Sequence, residues 1–202
     1  MSISLQKGQK VNLSKSTEGL KRVMVGLGWD EAQQPRLFGL FGGRKQDIDC
    51  DASAILCGAN GKLISSEIKK TCVYFGNLKH SSGAIVHQGD NLTGEGEGDD
   101  EEIMVNLSLV PEEIHKIVFV VNIYDARARN QHFGMIRNAF IRLVDLDKNT
   151  EICRFNLSDN YDNMTGLIVG ELYRTNGCWE FNAVGQPVRE ASRLGSLVQM
   201  YQ

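Results

Sequence analysis

The sequence predicts an all-β protein: an antiparallel β-sandwich with a few short helices and a C-terminal helix. Three observations carry that expectation. Short apolar segments alternate with polar residues at period two, turn-forming residues separate them at close intervals, and helical spacing is scarce outside the C-terminus. At 202 residues the chain suits a single domain, 1–202. A chain of this size buries about 70% of the surface its unfolded form exposes, so the core needs no staples.

The elements follow in order. Ile3 and Leu5, then Val11 and Leu13, alternate around Lys7-Gly8-Gln9-Lys10, the pattern of a hairpin. Val23, Val25, Leu27 and Trp29 alternate through the next strand. Pro35, Gly39, Gly42 and Gly43 break any pattern after it, which makes about 31–46 a loop insertion. From Asp47 to Leu56 the alternation returns. Ile48, Cys50, Ala52, Ala54 and Leu56 would face the core, and Asp47, Asp49 and Asp51 the opposite side. Residues 117–124 are apolar on both faces, as in a central buried strand. The segments 139–144 with 151–157, and 167–174 with 179–184, form two strand pairs joined by polar or Gly-containing turns. A short helical turn fits 125–133. Ala191, Leu194, Leu197, Val198 and Tyr201 take helical spacing in a tail of about 188–202.

Charge locates the chemistry. The chain has 22 basic and 25 acidic residues. Seven of the acids fall in Gly89-Asp90-Asn91-Leu92-Thr93-Gly94-Glu95-Gly96-Glu97-Gly98-Asp99-Asp100-Glu101-Glu102, which contains no Lys, Arg or His. Without them the remainder is mildly basic, so the anionic character sits at one place. That pattern argues against a nucleic-acid module, which normally presents a clear basic face.

Carboxylates so crowded repel one another: two charges about 4 Å apart cost roughly 1 kcal/mol in water and about 4 kcal/mol at an effective dielectric near 20. Glycine lets the backbone turn its carbonyls inward, and hard cations want several carboxylate and carbonyl oxygens in a flexible loop. The candidate donors are Asp90, Asn91, Thr93, Gly94, Glu95, Glu97, Asp99, Asp100, Glu101 and Glu102, joined by Asp49 and Asp51 from the strand. Asp125 is a further ligand if its strand ends near the loop. The expected cofactor is Ca2+, as two ions. A solvated acidic linker is the alternative reading. The loop matches neither the EF-hand nor the Gly-rich nonapeptide repeat. Asp145 to Glu151 opens like an EF-hand loop but lacks its glycine and terminal Glu, so it reads as a hairpin turn.

Other chemistry is sparse. No P-loop, Gly-x-Ser-x-Gly elbow or His-Glu-x-x-His is present, and no enzyme or small-molecule substrate is indicated. The four histidines have no ligand spacing. Arg127, Arg129 and Arg137 hold an anion, pair with carboxylates, or are solvated. Five cysteines with no Cys-x-x-Cys pair speak against a disulfide framework or a zinc site, and for a cytoplasmic protein with reduced thiols. No stretch is long and apolar enough to span a membrane.

Several segments together resemble the TerD family of tellurium-resistance and stress-response proteins. They are Ser2-Ile3-Ser4-Leu5-Gln6-Lys7-Gly8, Val25-Gly26-Leu27-Gly28-Trp29-Asp30, Asp49-Cys50-Asp51-Ala52-Ser53-Ala54 and the acidic loop. Phe133-Gly134-Met135-Ile136-Arg137-Asn138-Ala139-Phe140-Ile141-Arg142 and Gly170-Glu171-Leu172-Tyr173-Arg174 follow in order. The resemblance implies a β-sandwich that binds calcium through the loop and the Asp-x-Asp strand. It implies a link to tolerance of tellurite and other chemical stress, and to phage and colicin resistance, without settling the biochemical mechanism. It implies partners too: paralogous Ter-type proteins and a membrane protein, which would bring a cytoplasmic chain to the periphery of the inner membrane. Two rival readings stay open. One is an interaction module with purely structural calcium, and the other is detoxification of tellurite by thiols. The chain departs from short family members at 35–46, at Asp47 and in its tail, which bears on the partner surface.

Overall fold

The computed structural model describes residues 2–13, 19–31, 48–89, 98–157, 159–191 and 193–202. Among these, twelve strands form two six-stranded sheets. The first runs β1 (Ile3–Leu5), β10 (Thr150–Asn156), β9 (Ile136–Asp145), β3 (Arg22–Glu31), β7 (Glu101–Asn106) and β6 (Ile85–His87). The second runs β2 (Lys10–Asn12), β12 (Cys178–Val188), β11 (Gly166–Thr175), β8 (Lys116–Ile123), β4 (Cys50–Cys57) and β5 (Cys72–Val73). Every pairing is antiparallel except that of β1 with β10. The expected sandwich is the fold.

Alternation builds the core. Val23, Val25 and Leu27 of β3 and Ile103 and Val105 of β7 meet Cys50, Ala52, Ala54 and Leu56 of β4 and Ile117 and Phe119 of β8 between the sheets. The outer face of β4 and β8 is apolar as well. Ile55, Val118 and Val120 lie under Leu197 and Val198 of α3 (Leu194–Gln199). Each such side chain contributes about 1.5–3 kcal/mol when buried, so the tail covers the sheet instead of trailing from it. β8 is accordingly central, between β11 and β4. The turn joining β11 to β12 is Asn176-Gly177, with φ of 50° and 77°. Two left-handed residues match the twist of a hairpin, and Asn-Gly tolerates them at least cost.

Two expectations are corrected, and two features go beyond what periodicity announced. The N-terminal alternation is not a hairpin, because β1 joins one sheet and β2 the other. Gly8 turns the chain at φ 79° and donates its N–H to the Ala183 carbonyl, which leads β2 away to β12. Alternation shows which face is buried but not which strand is the partner. The outward face of β4 is covered as well, all eight of its residues being buried. The tail is helical only over Leu194–Gln199, because β12 continues to Val188. Residues 57–88 hold structure that no periodicity announced, namely α1 (Ile68–Thr71), β5 and β6. The insertion at 31–46 lies outside the described residues apart from Glu31.

Register gathers the acid-bearing segments at one end of the sandwich. Leu27 of β3 pairs with Glu101, His87 of β6 with Ile103, and Cys50 of β4 with Ile123. The ends of β3, β6 and β8 and the starts of β4, β7 and β9 therefore lie together at that end. α2 (Ala126–Arg129) and a short 3-10 turn, Phe133–Met135, lie between β8 and β9.

Candidate metal centre

Asp49 sits beside the first residue of β4. Its carbonyl accepts the Tyr124 N–H at 2.8 Å, and its Oδ2 lies 3.6 Å from Arg129. The Arg129 guanidinium also covers the Tyr124 ring, 5.0 Å from the centroid. Asp51 is buried, and its Oδ2 accepts from Asn122 Nδ2 at 3.2 Å. Period two places both acids on the face of β4 turned away from the inter-sheet core.

Glu101 approaches from the opposite side. It and His87 are fully buried, and together they close the open edge of β4. The Ala52 N–H donates to Glu101 Oε2, while His87 Nε2 lies 3.2 Å from the Ala52 carbonyl and 3.6 Å from that same carboxylate oxygen. The Gly89 N–H donates to His87 Nδ1 at 3.1 Å. With Nδ1 accepting, the ring proton belongs on Nε2, where it serves the Ala52 carbonyl. One residue's backbone is thus satisfied by two side chains from the other sheet.

Asp100 is tied to β3. Its N–H donates to the Leu27 carbonyl, and its Oδ2 accepts the Trp29 N–H at 2.7 Å. Burial pushes its carboxyl up, the Trp29 hydrogen bond opposes that, and Asp30 and Asp99 add to it. Asp99 has a different partner. Arg142 grips it with two prongs, Nε to Oδ1 and Nη2 to Oδ2, each at 2.8 Å, and also reaches Glu151. That pairing raises the Arg142 guanidinium further above its usual range. Gly26 makes it possible: a Cβ there would overlap the Asp99 carboxylate, as one at Gly28 would overlap the Phe140 ring. Sequence reading missed Arg142 and the role of both glycines, although glycines at alternate strand positions mark a close approach.

The remaining candidates divide. Glu102 lies on the face of β7 opposite Glu101. Asp125 is half-buried in the left-handed region, φ 51°, immediately before α2. Asp90, Asn91, Thr93, Gly94, Glu95, Glu97 and Asp47 lie outside the described residues. Asp145 is a turn residue as expected, its Oδ1 accepting from the N–H groups of Asp147 and Lys148. Among the described residues no three His, Cys, Asp or Glu side chains come close enough to share an ion.

The buried Cys50 thiol is pushed well up, first by burial and then by Glu101, Asp51, Asp49 and Asp100. Burial also dominates at Cys57 and Cys153, both pushed up to about 12, and at Cys72, up to about 11. A thiol-specific reagent is expected to label the half-buried Cys178 in the native protein and the other four only after unfolding. Labelling of Cys50 at the rate of Cys178 would contradict this burial.

Among the described residues no helix is long and apolar enough to cross a membrane. The TerD domain model matches residues 1–201. The stress response protein SCP2 of Bacillus subtilis (strain 168) is 49% identical over 203 residues, covering 100% of both chains. The tellurium resistance protein TerD of Serratia marcescens is 47% identical over 201 residues, covering 100% of this chain and 97% of that protein. The crystal structure of a homologue of telluride resistance protein (TerD) from Streptomyces coelicolor A3(2) superimposes with a TM-score of 0.64 at 22% identity, over 91% of this chain and 99% of that one, and shows the shared fold. With the family model matched almost from end to end, the chain belongs to the TerD family of tellurium resistance and stress response proteins.

Proposed function

We propose that this chain is a calcium-binding, non-enzymatic scaffold that contributes to tellurite and chemical-stress resistance. The observation that carries the reading is the strand register, which brings Asp49 and Asp51 at the start of β4 to the same end of the sandwich as Asp100 and Glu101, where Glu101 accepts the Ala52 N–H of that strand. These acids come from two strands and the end of the acidic loop. Their oxygens are the hard donors that calcium takes. Bound there, calcium would supply the positive charge that offsets their repulsion.

Two of the candidate acids have other engagements. Asp99 is committed to Arg142, and Glu102 faces away. Asp49 and Asp51 on one side of β4, and Asp100 and Glu101 from the acidic loop, are the described candidates; no three of them converge, so donors from 90–97 would have to complete any ion site, and Asp125 stands on the adjoining connection. The rest of the chain positions them: Trp29 and Ala52 fix two carboxylates through backbone N–H groups, and Asn122 fixes a third. The same proposal has the scaffold assemble in the cytoplasm with paralogous Ter-type proteins beside a membrane partner. Detoxification by thiols is disfavoured, because the thiolate is the reactive form and burial holds four of the five thiols protonated. Calorimetric titration of chelator-stripped protein is expected to show saturable calcium binding with about two ions per chain, few enough for the hard-oxygen donors available. No heat at millimolar calcium would end the proposal.

A further inference from the structure

The covered outer face of the second sheet is not completely filled. Between the hairpin 72–77 and the start of α3 lies a cleft of about 490 Å³, within the usual size range for a small-molecule site. Its floor is polar: Asp51 and Ser53 from β4, and Asn122 directly across from Asp51 on β8. Tyr74, Phe75 and Tyr124 provide aromatic walls, and Arg193 stands at the α3 side.

Two features separate this cleft from an ordinary surface groove. Ser53 and Asn122 are 1% and 2% exposed, yet Ser53 Oγ and Asn122 Oδ1 have no hydrogen-bond partner among the described residues. The Asn122 amide gives its Nδ2 to Asp51, which leaves the carbonyl oxygen as an acceptor. A buried acceptor left unmet is destabilising, so a ligand that supplies donors there gains by it. The walls are also costly to expose. Phe75 and Tyr124 are 47% and 43% exposed, and both line this one cleft. Phe75 is held at the tip of a tight turn, where Tyr74 and Asn77 exchange backbone hydrogen bonds and the Asn77 side chain donates to the Lys69 and Cys72 carbonyls. The wall is therefore preorganised.

Acceptors and a carboxylate below aromatic faces are complementary to a cation that carries several N–H donors. We propose that this cleft binds a small organic molecule through a primary ammonium group. Its three N–H donors meet Asn122 Oδ1, Ser53 Oγ and the Asp51 carboxylate, and its methylenes pack between Phe75 and Tyr124. Arg193 makes no ion pair among the described residues. It favours ligands that carry a carboxylate beyond the amine.

Asp51 belongs to both this site and the proposed calcium set, so the test is run on calcium-saturated protein. Cadaverine, lysine and hexanoate serve as probes, with binding read by calorimetry and by amide chemical shifts of residues 53, 75, 122 and 193. Cadaverine and lysine are expected to saturate, and hexanoate is not. Ser53→Ala should weaken both amines about tenfold, the size of losing one hydrogen bond to a charged group, without altering the stabilisation by calcium. Arg193→Ala should weaken lysine and spare cadaverine. Three results would overturn the assignment: no saturable amine binding at millimolar probe, equal binding of hexanoate, or amine binding seen only in chelator-stripped protein and lost when calcium is added. The last would give Asp51 to the ion alone. Failure of calcium itself to bind would instead strike the scaffold reading and leave the amine titration intact.

Discussion

Calcium added to chelator-stripped protein is expected to raise the melting temperature by about 5–10 °C. A ligand at 100 times its Kd adds about 2.7 kcal/mol to the folded state, and a domain of this size shifts about 2–4 °C per kcal/mol. Magnesium should shift it less, because it demands a tighter octahedron and gives up its water reluctantly. Asp49→Asn with Asp51→Asn keeps the shape of both side chains and removes two charges, so the calcium shift should collapse toward the magnesium value. Asp145→Ala should leave the calcium shift intact, because Asp145 closes the β9–β10 turn instead. Scanning calorimetry at matched ionic strength decides it. Equal shifts from both ions, or a full shift in the double variant, would remove the support for the site.

Arg142→Met should be the most destabilising single change near the acidic loop. The Asp99 side chain is 1% exposed, and its two-pronged partner would be gone. Stranding a buried carboxylate costs about 3–5 kcal/mol, which lowers the melting temperature by roughly 6–20 °C. Adding Asp99→Asn removes the stranded charge and should recover more than half of the loss. Asp99→Asn alone should keep the response to calcium, since Asp99 serves Arg142 rather than an ion. Chemical denaturation of the four proteins completes the cycle. A loss below about 1 kcal/mol would put the pair in the class of exposed ion pairs and refute its burial.

Much of this architecture could be read before any coordinates. β8 announced itself because eight consecutive residues with apolar character on both faces suit a strand covered twice. β9 with β10, and β11 with β12, were marked by alternation on either side of a turn. α1 and β5 left no signal because four residues and two residues are too short to show a period. The crowd of acids was legible from composition, but its division was not. Arg142 lies 43 residues beyond Asp99, and only the register of β3 with β9, which sets Gly26 opposite Arg142, brings the two together. The burial of Asp51 was equally hidden, because the tail that covers its strand comes from the far end of the chain.

The closure of Ala52 by Glu101 and His87 bears on how this molecule can meet others. A strand with free N–H and C=O groups is a template on which a second chain can grow a sheet. Here both backbone groups of that residue are already engaged from within. Homotypic strand addition at that rim is barred unless two buried side chains first withdraw, so any assembly must use faces or loops and should resist fibrillar stacking there.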